Sequence, residues 1–153
     1  MRTLETKVPP PIVAVAVGVG MWLISTTAPH AGPVPLPRLI AALAIALIGG
    51  AVAAAGVAAI RKAQTTVNPL HPERTSAFVS NSIYRITRNP MYLGLLLVLL
   101  GVAVFLWSVP ALIGPPAFVG YIWRFQIIPE ERVLERKFGP EYVEYKRRVR
   151  RWL

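Results

Sequence analysis

Two long stretches almost free of charge decide what this chain can become. Between Val8 and Ile60 the only Arg, Lys, Asp or Glu is Arg38, and between Asn89 and Trp123 there is none. In a chain of 153 residues, so much continuous apolar sequence exceeds what one soluble core can bury. The bilayer is the solvent that suits it. A hydrophobic content of 54% and a mean hydropathy of +0.51 agree with that reading. The expectation is an all-α, polytopic membrane helical bundle forming a single domain over residues 1–153.

The apolar runs divide into about four spans. The first covers residues 8–27, entered through Pro9, Pro10 and Pro11. A secretory leader is its rival reading, because Ile12 to Ile24 has the length of a leader's apolar region; the prolines and the multi-span remainder favour a retained helix. A proline-rich linker from Ala28 to Pro37 leads to residues 39–60, the clearest span. At ~1.5 Å per residue it reaches ~33 Å, enough for the hydrocarbon core. Within it Ala42, Ala46, Gly50, Ala54 and Ala58 fall four apart, a stripe of small residues that lets a neighbouring helix approach closely. The third span covers residues 91–107. The fourth, residues 112–128, requires either a start near Leu112 with the prolines in its first turns or continuation past Pro129.

The formal charge of +10 suggests nucleic acid in a soluble protein. Here the basic residues crowd into Arg61–Arg88 and Arg124–Arg151, both flanking apolar runs. That is the pattern of cytoplasmic loops beside anionic lipid, and no nucleic-acid motif accompanies it. Both termini are then cytoplasmic, as in a bacterial inner-membrane protein. The absence of Cys and Asp and the presence of only two His, His30 and His71, exclude thiolate chemistry and argue against a metal centre. No Gly-rich loop joins a strand to a helix, so a Rossmann-type cofactor site is excluded; Gly18-Val19-Gly20 lies inside a span and reads as packing.

After the fourth span the tail reads as two short C-terminal helices. Glu130–Phe138 stops at Gly139, and Glu141–Leu153 starts with Pro140 at its front. In the second, Tyr142, Tyr145, Val149 and Trp152 form an apolar stripe opposite Lys146, Arg147, Arg148, Arg150 and Arg151. Such a helix suits the lipid headgroups, or a lid over a site.

Chemistry concentrates in two places. One is Phe78 to Gly94, where Tyr84, Arg88, Asn89, Pro90 and Tyr92 precede the third span. Pro90 drives Asn89 out of helical geometry and suits the first helical turn itself, so the unpaired N–H groups of that turn are open to an anion. The other is Glu130-Glu131, carboxylates at the membrane face that are costly unless paired or bound to a cation. Glutamates in a first helical turn also complement the macrodipole, which is the plain structural reading.

The block Arg88-Asn89-Pro90-Met91-Tyr92-Leu93-Gly94 resembles the R-[HN]-P-x-Y-x-G signature of integral-membrane methyltransferases. These include isoprenylcysteine carboxyl methyltransferase and the phospholipid N-methyltransferases. Asn68-Pro69, Phe78-Val79, Tyr84, Glu130-Glu131 and Phe138-Gly139 with Tyr142 and Tyr145 follow the family's order, so the resemblance covers residues 67–153. It implies methyl transfer from S-adenosylmethionine to a lipophilic acceptor, a prenyl-like carboxylate or a phospholipid amine. The implied cofactor-binding residues are Ser76, Ala77, Phe78, Val79, Tyr84, Arg88, Asn89, Pro90, Met91, Tyr92 and Glu130. Catalytic roles fall to Arg124, as the cation positioning a carboxylate acceptor, and to Glu131 or a tyrosine, as proton acceptor for an amine. Glu131 and Arg88 are also implied to support the pocket, by ribose contact or by pairing across the two segments. Asn81-Ser82 stands where the family has S-G before its first tyrosine; Asn tolerates the left-handed backbone such a turn needs. Gln126 stands where the eukaryotic prenylcysteine enzymes carry a substrate-side arginine. A non-catalytic membrane scaffold or transporter subunit is the alternative, in which Arg88 and Glu130 pair structurally.

Overall fold

The computed structural model describes residues 5, 7–27, 33–63 and 78–153. Among these residues every regular element is helical: α1 Pro10–Ser25, α2 Leu36–Lys62, α3 Pro90–Leu106, α4 Gly114–Ile122 and α5 Ile128–Arg148. Single 3₁₀ turns at Ser82–Arg85 and Pro110–Ile113 precede α3 and α4. Proline sits in the first turn of all five helices; at the free starts of α1, α2 and α3 its missing N–H costs nothing and its fixed φ suits the helix. Asn68-Pro69, Ser76 and Ala77 lie outside the described residues.

Helix α3 is central, with α2 on one side and α1 and α4 on the other. Met21, Leu99, Ala103, Phe118, Ile122 and Ile127 form the main core. Helix α2 is long and apolar enough to cross a membrane by length and composition; α1 and α3 are shorter apolar helices. Only 17% of the most apolar stretch of α2 is buried. Leu36, Ile40, Leu43, Leu47 and Ile48 project outward from it, an apolar face that water does not suit.

The α2–α3 contact corrects the small-residue stripe. Residues four apart drift ~40° per step around a helix of 3.6 residues per turn, so the row turns away from a straight neighbour. Ala42, Ala46, Gly49, Ala53 and Gly56 are the residues that meet α3, while Gly50 faces open space and Ala54 and Ala58 are exposed. Gly94 of the Arg-Asn-Pro block lies in this contact. A Cβ there would sit 2.5 Å from the Gly49 carbonyl oxygen and 2.7 Å from Ala53 Cβ. The two backbones therefore touch directly, which explains the glycine.

The run from α4 to α5 is continuous. It begins at Gly114 with Pro115 and Pro116 in its first turn and continues past Pro129. Between α4 and α5 lies one π turn, Trp123–Ile127. Pro129 lacks an N–H and its ring would strike the carbonyl one turn back; a widened turn accommodates it. Gly139 breaks α5 at φ 54° and ψ −131°, the stop expected there. The helix then ends at Arg148, and Val149 is extended. The expected helix to Leu153 is thus shortened, because the carbonyls of Arg150 and Arg151 bond elsewhere in the molecule.

Candidate functional site

Pro90 and Asn89 build the first wall. Asn89 adopts φ −129° and ψ 55°, outside helical geometry, and its side chain does not cap α3. Instead Asn89 Nδ2 donates to the Arg151 carbonyl at 3.0 Å, and the Asn89 N–H donates to Thr87 Oγ1 at 3.2 Å. The start of α3 therefore has no side-chain cap, and Met91 and Tyr92 bring its first-turn N–H groups to this end of the helix.

Tyr92, buried in the first turn of α3, donates its hydroxyl to Glu130. This joins the two chemical clusters across 38 residues of sequence. Burial, opposed by the Tyr92 hydrogen bond and reinforced by neighbouring Glu131, pushes the Glu130 carboxyl up to about 8. Part of the residue stays accessible. Among the described residues no cation pairs with it. Burial likewise raises Tyr84 above the usual phenol range, with Tyr145 and Glu130 adding to the shift.

Glu131 has a different environment. Arg88 Nη1 lies 3.0 Å from its Oε1, both side chains being about nine-tenths buried. Arg151 Nε and Nη2 bind its two oxygens at 2.9 and 2.8 Å. A planar guanidinium matched to a carboxylate in this bidentate way is the strongest form of the pair. Arg88 thus pairs with Glu131 across the two segments, as the resemblance implies, and does not pair with Glu130 as the scaffold alternative requires.

The tail closes the site. The Arg88 N–H donates to the Arg150 carbonyl at 3.0 Å, and Thr87 Oγ1 donates to the Arg151 carbonyl at 3.1 Å. Tyr145 donates its hydroxyl to the Tyr84 carbonyl at 2.7 Å. Phe78 packs edge-on against Phe138 and Tyr142 and tilted against Tyr145, with ring centres 5.2 to 5.7 Å apart. Tyr142, Tyr145 and Val149 are buried in that cluster. The tail's apolar stripe therefore faces the protein and is not free to lie on lipid headgroups. Its burial pushes the Tyr145 phenol up to about 12, against the lowering effect of Arg88.

Arg124 is not brought into this cluster. It lies in the π turn, six residues before Glu130, and binds Glu5 at 3.1 Å; Arg132 shares the same carboxylate at 3.7 Å. Gln126 is fully buried, and its Nε2 donates to the Val8 carbonyl at 2.7 Å. Thr87 and Arg151 are the participants that the sequence reading did not single out. By sequence Arg151 belongs to the basic row opposite the apolar stripe of the tail; the change of backbone at Val149 carries no local sequence signal.

The turn before Tyr84 survives the loss of glycine, with one correction. Ser82, not Asn81, is left-handed, at φ 51°, while Asn81 is extended. Ser82 is thus where a glycine removes strain. Ser82→Gly is expected to raise stability by roughly 0.5–1 kcal/mol, and Ser82→Val to lower it by more than about 1 kcal/mol. Thermal unfolding in detergent reads both; a stabilised valine variant would contradict the backbone assignment.

The phospholipid methyltransferase family profile matches residues 37–141. The chain is 31% identical over 110 residues to a probable protein-S-isoprenylcysteine O-methyltransferase of Oryza sativa, covering 70% of this chain and 56% of that one. Over 80 residues it is 39% identical to protein-S-isoprenylcysteine O-methyltransferase B of Arabidopsis thaliana, covering 50% and 39%. An uncharacterized protein of Haemophilus influenzae is 51% identical over 63 residues, which is 41% of this chain and all of that one. The chain spans about half the length of the plant relatives it matches. No solved structure matches it. An all-helical chain that joins an Arg-Asn-Pro-x-Tyr-x-Gly block to a paired glutamate defines a class, and the profile match names it. The chain belongs to the phospholipid methyltransferase family, which includes relatives of the isoprenylcysteine methyltransferases.

Proposed function

We propose that this protein is a membrane-embedded, S-adenosylmethionine-dependent methyltransferase acting on a lipophilic acceptor. The observation that carries the reading is Glu130: a shielded carboxylate partnered by a neutral phenol, beside an uncapped helix start. Purely structural pairing of Arg88 with Glu130 is absent, which counts against a scaffold. Among the described residues, a carboxylate without a counter-cation and a helix start without a side-chain cap fit the ammonium and carboxylate of one zwitterionic ligand.

The cofactor, when bound, supplies a methyl group already activated on a sulfonium. Glu130 meets its ammonium, and the first turn of α3 at Pro90, Met91 and Tyr92 takes its carboxylate. Phe78, Val79, Tyr84 and Tyr92 give aromatic and apolar surface, with Ser76 and Ala77 beside them in sequence. Arg88 and Asn89 hold the block's shape, and the tail keeps water from the site. Both oxygens of Glu131 are taken by guanidinium donors, so a proton released by an amine acceptor goes to another group. Arg124 reaches an anionic acceptor only after release from Glu5.

Four spans, running through α1, α2, α3 and the α4 run, with both termini and the site on the cytoplasmic side of a bacterial inner membrane, suit this chemistry. Glu5 contacts Arg124 and the C-terminal tail contacts Glu131, both on the α4–α5 run, which supports that topology. The family's name and the plant relatives' names indicate a phospholipid amine and a prenyl-linked carboxylate as the acceptors to compare.

Membranes containing the protein are expected to transfer label from S-[methyl-³H]adenosylmethionine to one of these classes. Because a cationic ligand requires ionised Glu130, cofactor affinity is expected to rise with pH up to about 8 and then level off. Below that pH, binding must expel the proton. Calorimetry across pH 6–9 reads this, and affinity that falls over the same range would contradict the role of Glu130.

A further inference from the structure

We propose that Arg151 is a positioning residue of the methyl-donor site. It holds Glu131 and, added to Arg88, more than compensates its charge, so that Glu131 does not repel the ionised Glu130 that meets the cationic ligand. The inference rests on the donor-site reading above.

Three observations carry it. The Arg151 side chain grips both oxygens of Glu131 while its guanidinium lies 6.0 Å over the Trp123 ring. Its main-chain carbonyl accepts from Asn89 Nδ2 and Thr87 Oγ1. One residue therefore fixes the glutamate pair with its side chain and the Arg-Asn-Pro block with its backbone. The third observation is charge. Glu131 faces two guanidiniums, Arg88 and Arg151, so the three together carry +1.

The groups facing Glu130 are Tyr92, Glu131 and Tyr84; those facing Glu131 are Arg88, Arg151 and Tyr142. Without Arg151 the Glu131 charge is only singly compensated, and its repulsion of ionised Glu130 grows. The ligand's ammonium then meets a carboxylate that is more often protonated. The tail, which sequence places beyond every motif used for the cofactor, is thereby part of the electrostatics of the site.

The test is S-adenosylmethionine binding as a function of pH, measured on the full chain in detergent for wild type and three variants. In Arg151→Gln the midpoint of the affinity rise is expected to move up by about one pH unit, with about tenfold weaker binding at neutral pH and convergence with wild type at high pH. In the double variant Glu131→Gln, Arg151→Gln both charges are gone, and the midpoint is expected to return to near the wild-type value. Arg151→Lys keeps the charge and loses the fork; its midpoint is expected close to wild type with affinity reduced alike at every pH. A uniform loss in Arg151→Gln with an unmoved midpoint, or a lysine variant whose midpoint is shifted up by a full unit, overturns the proposal. Wild type that binds no S-adenosylmethionine at any pH defeats the donor-site reading itself, a different outcome from either.

Discussion

Replacing Glu130 by alanine is expected to weaken S-adenosylmethionine binding by at least about a hundredfold. Truncating one side of a buried charge pair costs roughly 3–5 kcal/mol, and every ~1.4 kcal/mol is tenfold in affinity. The stability consequence has the opposite sign. The carboxyl ionises near 4.5 in an unfolded chain and near 8 in the folded protein, so the fold favours the protonated form. Its contribution to stability is present below the lower value, declines as pH rises between the two, and is constant above about 8. Glu130→Ala is therefore expected to unfold at the same temperature as wild type, or a higher one, at pH 9 while failing to bind. Calorimetry and thermal unfolding on the same preparations separate the two effects. Full-affinity binding by the alanine variant would remove Glu130 from the site.

The second large effect is expected at Gly94. An alanine Cβ would meet the Gly49 carbonyl and the Ala53 backbone and side chain closer than real carbons approach. Since the obstacle is backbone, the helices must separate, at roughly 1–3 kcal/mol for overpacking. Gly94→Leu should cost more. Separation also tilts Tyr92, two residues earlier, away from Glu130, so cofactor affinity should fall with stability. Gly50→Ala, one position from Gly49 but facing open space, is expected to be neutral or stabilising by up to ~1 kcal/mol. Equal losses at positions 50 and 94 would contradict the α2–α3 contact.

How much of this was legible follows from which properties are local. Helix ends were readable because Pro at a first turn and Gly139 at a break act through their own backbone. Arg88 bridging to the glutamate pair was readable because buried opposite charges must find each other. The Tyr92 hydroxyl as the partner of Glu130 was not, since adjacent residues point about 100° apart around a helix and only the three-dimensional phase decides. The row of small residues on α2 was visible, but its true face alternates steps of three and four. The stripe of Tyr142 and Tyr145 was visible as amphipathic, yet amphipathicity does not say whether lipid or Phe78 covers it. Arg151 was hidden by its company, one arginine among several in a basic tail. The position of the left-handed residue was misjudged by one, because the propensity of Asn outweighed the stricter demand of the turn on Ser82.

The π turn at Trp123–Ile127 has a consequence for how such a chain can change. One additional residue in a helix rotates everything beyond it by about 100°. The turn therefore acts as a phase adjuster between two demands made on a single rod. Upstream, α4 is oriented by Met21 and the core; downstream, α5 must aim Glu130 at Tyr92 and Glu131 at Arg88. With an elastic joint between them, the α4 half can acquire a new packing face while the glutamates keep their bearing.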